Sequence, residues 1–168
     1  MSNLKDVLKS VKYLLLDMDG TVYLGGKLIG NMDKTLDKIR KAGKKIIYLT
    51  NNSSKSVESY YKKLTDMNLF RLGDEVKTSG LAAIDFLKAN RKGKTVRLLG
   101  TTSLKEEFAK NGINVTEEGV ADICVLAYDT ESTYVKLCKF TDNLRGNCEY
   151  IATHPDINCP SENYPLPD

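Results

Sequence analysis

The chain lacks any apolar run near the ~20 residues needed to span a bilayer, and tryptophan is absent from its 168 residues. Its first residues, "MSNLKDVLKSVK", are polar and lysine-dotted, without the apolar stretch of a signal peptide. Both absences argue against a membrane span or a secretory leader, and the expectation is a cytoplasmic protein with no membrane partner. The four cysteines, Cys124, Cys138, Cys148 and Cys159, show no C-x-x-C spacing. Free thiols are therefore favoured over a zinc or redox site. An excess of charge is also missing. The formal balance is only +3, and the lysines of "KIRKAGKK" and "NRKGKTVR" are spread over helix ends and turns without interleaved aromatics. They read as a solvated face rather than as a surface for a nucleic acid polymer. There is no low-complexity segment and no repeat beyond an alternation of strands and helices.

What is present is an ordinary globular composition, 41% hydrophobic and 28% charged, in a chain long enough to bury a real core. The run Tyr13–Leu16 lacks polar alternation and reads as a strand buried on both faces. A helix follows, capped by Asn31, with Met32, Leu36 and Ile39 at helical spacing and Gly43 at its left-handed end. "KKIIYLT" reads as a second strand, "NNSS" as turn and cap chemistry, and Val57, Tyr60, Tyr61 and Leu64 as a further helix. Tyr60 and Tyr61 are expected to pack rather than to stack on a ligand. Strand, helix, strand and helix with short links imply parallel strands, whose carboxyl ends are where an open α/β sheet binds ligands.

The pattern restarts after "VKTSG", so a boundary is placed near Thr78: residues 1–78 and 79–168 read as two lobes. In the second, "LAAIDFLKAN", "TSLKEEFAKNG" and "TYVKLCKFTDNLRG" read as helices. A capping box is expected from Ser103 to Glu106, with Tyr134, Leu137 and Leu144 facing inward. "TVRLLG", "ADICVLAYD" and "CEYIAT" read as strands. The proline-rich end, "HPDINCPSENYPLPD", reads as loop.

The chemistry gathers in "YLLLDMDGTVYLGG". Asp17 and Asp19 lie two residues apart, so in an extended chain they would leave one side together, and two such charges call for a cation between them. Magnesium takes oxygen ligands and bridges carboxylate to phosphate. Asp17 can then attack a phosphoryl group, and Asp19 can protonate the leaving oxygen and later deprotonate water. Gly20 permits a sharp turn that aims backbone N–H groups at phosphate, and Thr50 at the neighbouring strand tip offers a hydroxyl. Taken alone, Asp-x-Asp-Gly is more often just a turn. The conjunction with a second strand ending in "LTNNSS" is what raises the phosphatase reading above it.

"LLLDMDGTVYLGG" and "IIYLTNNSSKS" resemble the first and second motifs of the haloacid dehalogenase superfamily of phosphatases. With "ADICVLAYD" and "YIATHPDINCPSENYPLPD", the resemblance extends to its nitrophenyl phosphatase (NagD-like) branch and covers nearly the whole chain. It implies an α/β fold with a Rossmann-type parallel core, of which residues 1–78 are the N-terminal part, and an inserted α/β cap over 79–168. It also implies Asp17 as nucleophile, Asp19 as acid–base residue, and both as ligands of Mg2+, Asp19 through its backbone carbonyl. Met18, Gly20, Thr21, Thr50, Asn51 and Asn52 are implied around the phosphate. The implied substrate is a small phosphorylated metabolite, within a family range of nucleotides, sugar phosphates, phosphoglycolate and pyridoxal phosphate. Caps of this branch often mediate dimers, so a homo-oligomer is implied too.

The family carries a lysine and a further acidic motif after the cap. No residue here can be assigned to either, and only two core strands are evident before residue 78. The expectation is therefore a truncated chain, with an activity completed by further sequence or by a second chain. A non-catalytic module that binds a phosphorylated ligand or a partner protein is the alternative, and a receiver domain phosphorylated on Asp17 is a more distant one. His154 and Asp156 in "ATHPD" can either line the leaving group or form a turn. Tyr128 and Asp129 can face the site or, for the acid, cap the next helix. Asn52 and Ser53 are favoured as a helix cap over phosphate ligands.

Overall fold

The computed structural model describes residues 9–159 and 164–167. The N-terminal leader reading, for residues 1–8, and the loop reading at 160–163 and 168 lie outside the described residues. The chain divides into two compact units. The first gathers the described residues of Met1–Thr50, Tyr60–Lys77 and Pro160–Pro165, and the second gathers Asn51–Ser59, Thr78–Cys159 and Leu166–Asp168.

The first unit is built on a three-stranded sheet of β1 (Tyr13–Asp17), β4 (Lys45–Thr50) and β5 (Glu75–Thr78), in the order β1-β4-β5. β1 and β4 run parallel, with Tyr13 beside Lys45 and Asp17 beside Leu49. A short antiparallel hairpin, β2 (Tyr23–Leu24) with β3 (Lys27–Leu28), follows β1. Helix α1 (Met32–Lys41) then leads to β4, and α2 (Val57–Asp66) leads towards β5. Asn31 stands at the cap position before α1, but its side chain does not make the expected cap bond. The helix is stopped beyond its end by Gly43 at φ 75°.

β5 is a strand that the sequence did not reveal. "EVKT" is only four residues with alternating burial, too short a pattern to separate from a turn. β1 also departs from expectation: Tyr13, Leu15 and Asp17 are exposed and Leu14 and Leu16 only half-buried. Its apolar run matches a two-sided core strand, but in the described chain it is an edge strand with β4 as its only neighbour.

The core of this unit is fixed by a buried polar knot as well as by apolar packing. The Arg40 guanidinium donates to both oxygens of Asp74, at 3.1 and 2.6 Å, and to Asp37 at 2.8 Å. Arg40 also donates to the Leu69 carbonyl at 2.5 Å, and the Tyr48 hydroxyl donates to the same oxygen at 2.8 Å. Burial is the main cause that pushes the Tyr48 pKa up to about 12. One planar cation thus ties α1 and β4 to the loop before β5. Tyr60 is buried, and Tyr61 meets Phe70 edge-on with centroids 5.1 Å apart. Both are packing residues, as expected.

The second unit carries a four-stranded parallel sheet of β6 (Thr95–Leu99), β7 (Asn114–Val115), β8 (Ile123–Leu126) and β9 (Glu149–Ala152), in the order β7-β6-β8-β9. On one face, α3 (Ser79–Asn90) and α4 (Thr102–Lys110) bury Ile84, Leu87, Leu104 and Phe108 against Val96, Leu98, Ile123 and Val125. On the other, α5 (Tyr134–Arg145) presses Phe140 against Leu99 and Cys124. Alternate residues of β6 feed opposite layers, the pattern of a sheet covered on both sides.

Local chemistry here differs from expectation in three places. α4 is capped by Thr101, whose hydroxyl accepts from the Leu104 N–H at 3.2 Å, so Ser103 and Glu106 form no box. In α5 the buried residues are Phe140 and Asn143; of the expected inward set, Leu144 packs partly buried against the Phe140 cluster, while Tyr134 is 82% exposed and Leu137 43% exposed. Asn143 is buried because its amide satisfies both the N–H and the carbonyl of Ala121, at 2.7 and 3.1 Å. The C-terminal stretch holds a two-residue antiparallel pair, β10 (Asn158–Cys159) with β11 (Leu166–Pro167). All four cysteines are free. Cys124 and Cys148 lie 3.2 Å apart between sulfurs, and burial pushes the Cys124 thiol up to about 12. No helix among the described residues is long and apolar enough to cross a membrane.

Candidate active site

β1 delivers Asp17 at its last residue, and β4 delivers Thr50 at its own, one position beyond the Asp17–Leu49 pairing. Two parallel strands therefore end in a carboxylate and a hydroxyl at one edge of the sheet. Thr50 is buried, while Asp17 stands exposed.

The chain then turns abruptly. The Met18 carbonyl accepts from the N–H groups of Thr21, Val22 and Tyr23, at 3.3, 2.9 and 3.3 Å, and the Gly20 N–H donates to the Tyr23 carbonyl at 2.7 Å. Gly20 sits at φ 85°, which a side chain would strain. The turn is anchored from below by Met18, Val22 and Tyr23, all fully buried. Two consequences follow for the expected roles. β1 stops at Asp17, so Asp19 lies in the turn rather than one strand repeat further along an extended chain. The Gly20 and Thr21 amides donate within the turn, to the Tyr23 and Met18 carbonyls.

Thr21 nevertheless serves the site through its side chain. Its hydroxyl donates to Asp17 Oδ2 at 3.0 Å, which fixes the rotation of the carboxylate. Asp19 faces a cation, with its Oδ1 3.8 Å from Lys63 Nζ on α2. The same ammonium lies 3.8 Å from the ring centroid of Tyr23. The Tyr23 hydroxyl is buried, and among the described residues Asp19 is the group that bears on it, without a hydrogen bond in good geometry. Burial raises its pKa strongly, and the nearby charges of Asp19 and Asp17 add to the effect. Lys63 and Tyr23 were not singled out in the sequence. Helical spacing does place Lys63 beside the buried Tyr60 and Leu64, but nothing in the sequence says which loop that edge of the helix meets.

Asn51, Asn52 and His154 belong to the second unit. There Asn51 Nδ2 donates to Asp156 Oδ2 at 2.9 Å, so Asp156 holds an asparagine rather than only its own turn. Asn52 Oδ1 accepts from the Ser54 N–H at 2.9 Å and the Ser54 hydroxyl at 2.7 Å, which closes a local turn instead of capping α2. The Ser53 hydroxyl accepts from the Tyr128 N–H at 3.0 Å and lies 3.2 Å from the Thr153 hydroxyl. Asp129 is paired with Lys136 at 3.1 Å and accepts from the Glu131 N–H at 2.9 Å, so it serves a turn before α5. The first turn of α2 is instead met by the Ser56 hydroxyl and by Glu107, which accepts from the Val57 N–H at 3.0 Å.

The sequence pattern of haloacid dehalogenase-like hydrolases matches residues 14–114, from β1 through β7. This chain belongs to that family. It is 32% identical over 160 residues to an acid sugar phosphatase of Staphylococcus aureus, an alignment covering 95% of this chain and 62% of that protein. The crystal structure of a 4-nitrophenylphosphatase from Thermotoga maritima matches with a TM-score of 0.90 at 38% identity, covering 96% of this chain and 62% of that one. A glycerol phosphate phosphatase from Mycobacterium tuberculosis, crystallised with magnesium, matches with a TM-score of 0.85 at 25% identity, covering 96% and 49%. The likeness is to the NagD-like branch of the family, and the fold is the HAD-like α/β fold expected from the sequence. The chain spans 62% of the length of the first two of these relatives.

The residues present fit a magnesium ion in kind. Asp17 and Asp19 bring only oxygen donors, the choice of a hard dication that keeps several waters. Among the described residues no group of three histidine, cysteine, aspartate or glutamate side chains is placed to hold a metal ion.

Proposed function

We propose that the protein to which this chain belongs is a magnesium-dependent phosphatase of small phosphomonoesters, working through an aspartyl-phosphate on Asp17. One observation carries the reading: within a haloacid dehalogenase-like chain, Asp17 is locked by Thr21 at the end of β1, beside the end of β4 that bears Thr50. A nucleophile benefits from a fixed rotamer because a near-attack geometry removes an entropic part of the barrier. The Asp17 carboxylate attacks phosphorus, the ester oxygen leaves with a proton from Asp19, and water then cleaves the acyl phosphate with Asp19 as base. Thr50 offers its hydroxyl to a phosphoryl oxygen, and the Asn51 backbone and the Met18 and Asn52 groups are proposed around the same oxygens. Asp17 and the Asp19 carbonyl would hold the magnesium, which supplies positive charge against the accumulating negative charge.

Residues 1–78 are proposed as the N-terminal part of the catalytic core and 79–168 as the cap, with His154 near the leaving group. The relatives' names support small phosphorylated substrates, and among those names are sugar and glycerol phosphates. The test is hydrolysis of p-nitrophenyl phosphate with Mg2+. Turnover is expected, and Asp17→Asn and EDTA are each expected to abolish it. Full activity in Asp17→Asn would overturn the reading.

A second reading is favoured by β1, whose outer edge has no strand beside it among the described residues and whose Leu15 is 61% exposed. Such an edge accepts a strand from another chain. The chain would then be a binding module without turnover, shown by phosphate binding in the complete absence of hydrolysis.

A further inference from the structure

α2 places Tyr60 and Leu64 in the core, and Lys63 emerges at the border of that buried face. Its stem is partly covered and its side chain is 30% exposed. The ammonium is bounded on two sides. Beneath it lies the fully buried ring of Tyr23, 3.8 Å from Nζ to centroid, and beside it lies Asp19 Oδ1, also at 3.8 Å. An ion pair this exposed adds little stability, so its effect lies in geometry. A cation held over an aromatic face is restrained, and a carboxylate oxygen drawn towards it is biased in its orientation.

We propose that Lys63 is a positioning residue for the proton-transfer step. Its ammonium, with the Tyr23 ring as platform, stands 3.8 Å from Asp19 Oδ1 and so biases the orientation in which the Asp19 carboxyl meets the leaving oxygen. The inference rests on the phosphatase reading above and adds a residue on α2, outside the motifs that suggested it. Lys62, the neighbouring cation, serves as control: it reaches Asp66 at 2.7 Å along the exposed side of the same helix.

A misplaced acid harms poor leaving groups more than good ones, because nitrophenolate departs without a proton and an alkoxide does not. Steady-state kinetics with p-nitrophenyl phosphate and with glycerol phosphate are therefore compared in wild type, Lys63→Met, Lys63→Arg and Lys62→Met. Lys63→Met is expected to lower kcat on glycerol phosphate about tenfold more than on p-nitrophenyl phosphate, with KM little changed. Lys63→Arg is expected to restore most of the difference, and Lys62→Met to show none. Equal losses on the two substrates, or the same pattern in Lys62→Met, would overturn the inference.

A second measurement needs no turnover and uses the 168-residue chain itself. The nitrogen-15 resonance of the Lys63 ammonium is expected to move on Asp19→Asn and to stay in place on Asp17→Asn. An ammonium resonance indifferent to Asp19→Asn would overturn the inference whether or not the enzyme turns over. A wild type without hydrolysis but with this shift would instead count against the phosphatase reading alone.

Discussion

"YLLLD" and "TVRLL" are near-equivalent stretches, each an apolar strand leading into a helix-bearing crossover, yet they end in opposite environments. β6 is an interior strand, paired with β7 and β8 and covered by helices on both faces, and even its Arg97 is buried. Among the described residues β1 has one neighbour, and it shows Tyr13 and Leu15 to solvent. Apolar content therefore states that a strand wants partners, and the partners decide what is buried. The same contrast separates roles. The second unit spends its apolar residues on a closed core, whereas the first leaves the carboxyl end of β1 open with Asp17 on it.

The contrast is broken most severely if the two strands respond alike to truncation of what they touch. Phe108→Ala, in the closed core beneath β6 and β8, is expected to cost about 3–5 kcal/mol of unfolding free energy by denaturant titration. Leu15→Ser on β1 is expected to stay within about 0.5 kcal/mol. A Leu15→Ser cost near that of Phe108→Ala would mean that β1 is covered in solution.

The first unit's order depends on its polar knot. Arg40→Met is expected to cost about 3 kcal/mol, because Asp74 would be left buried and unpaired with only the Arg71 N–H at 2.9 Å. A smaller loss is expected in the second unit from Thr101→Ala, about 1 kcal/mol from the cap of α4.

The finest distinction is in pH. Burial raises the Glu107 pKa, with Glu58 adding to the shift and the Val57 N–H and Lys110 opposing it. The folded protein therefore holds this proton more tightly than the unfolded chain. Its contribution is full below the ordinary glutamate range and is lost as pH rises through the raised value. Glu107→Gln is expected to flatten that part of the stability–pH curve while keeping the acceptor for Val57. An unchanged slope would remove Glu107 from this role.

Much of the fold was legible because periodic patterns report local geometry. Leu36 in α1, Tyr60 and Leu64 in α2, and the left-handed Gly43 all stand where spacing places them. What was not legible depended on distant partners. β5 is recognisable only beside β4, and Thr101 takes the cap expected of Ser103 because α4 begins two residues earlier than its charge pattern suggests. Tyr134 faces solvent because Asn143, a polar residue, takes an inward place on α5 through its bonds to Ala121. At the site, Asp17 and Thr50 were visible as strand ends. The Lys63–Asp19 pairing was not, since it joins elements 44 residues apart (63 − 19 = 44) that no local rule connects.

The central claim is that Asp17 becomes covalently phosphorylated, and rapid acid quench of the protein turning over labelled p-nitrophenyl phosphate tests it most directly. The label is expected on the peptide containing Asp17, lost in Asp17→Asn, and released by hydroxylamine as an acyl phosphate is. Turnover that leaves every peptide unlabelled, or a label retained in Asp17→Asn, would contradict it.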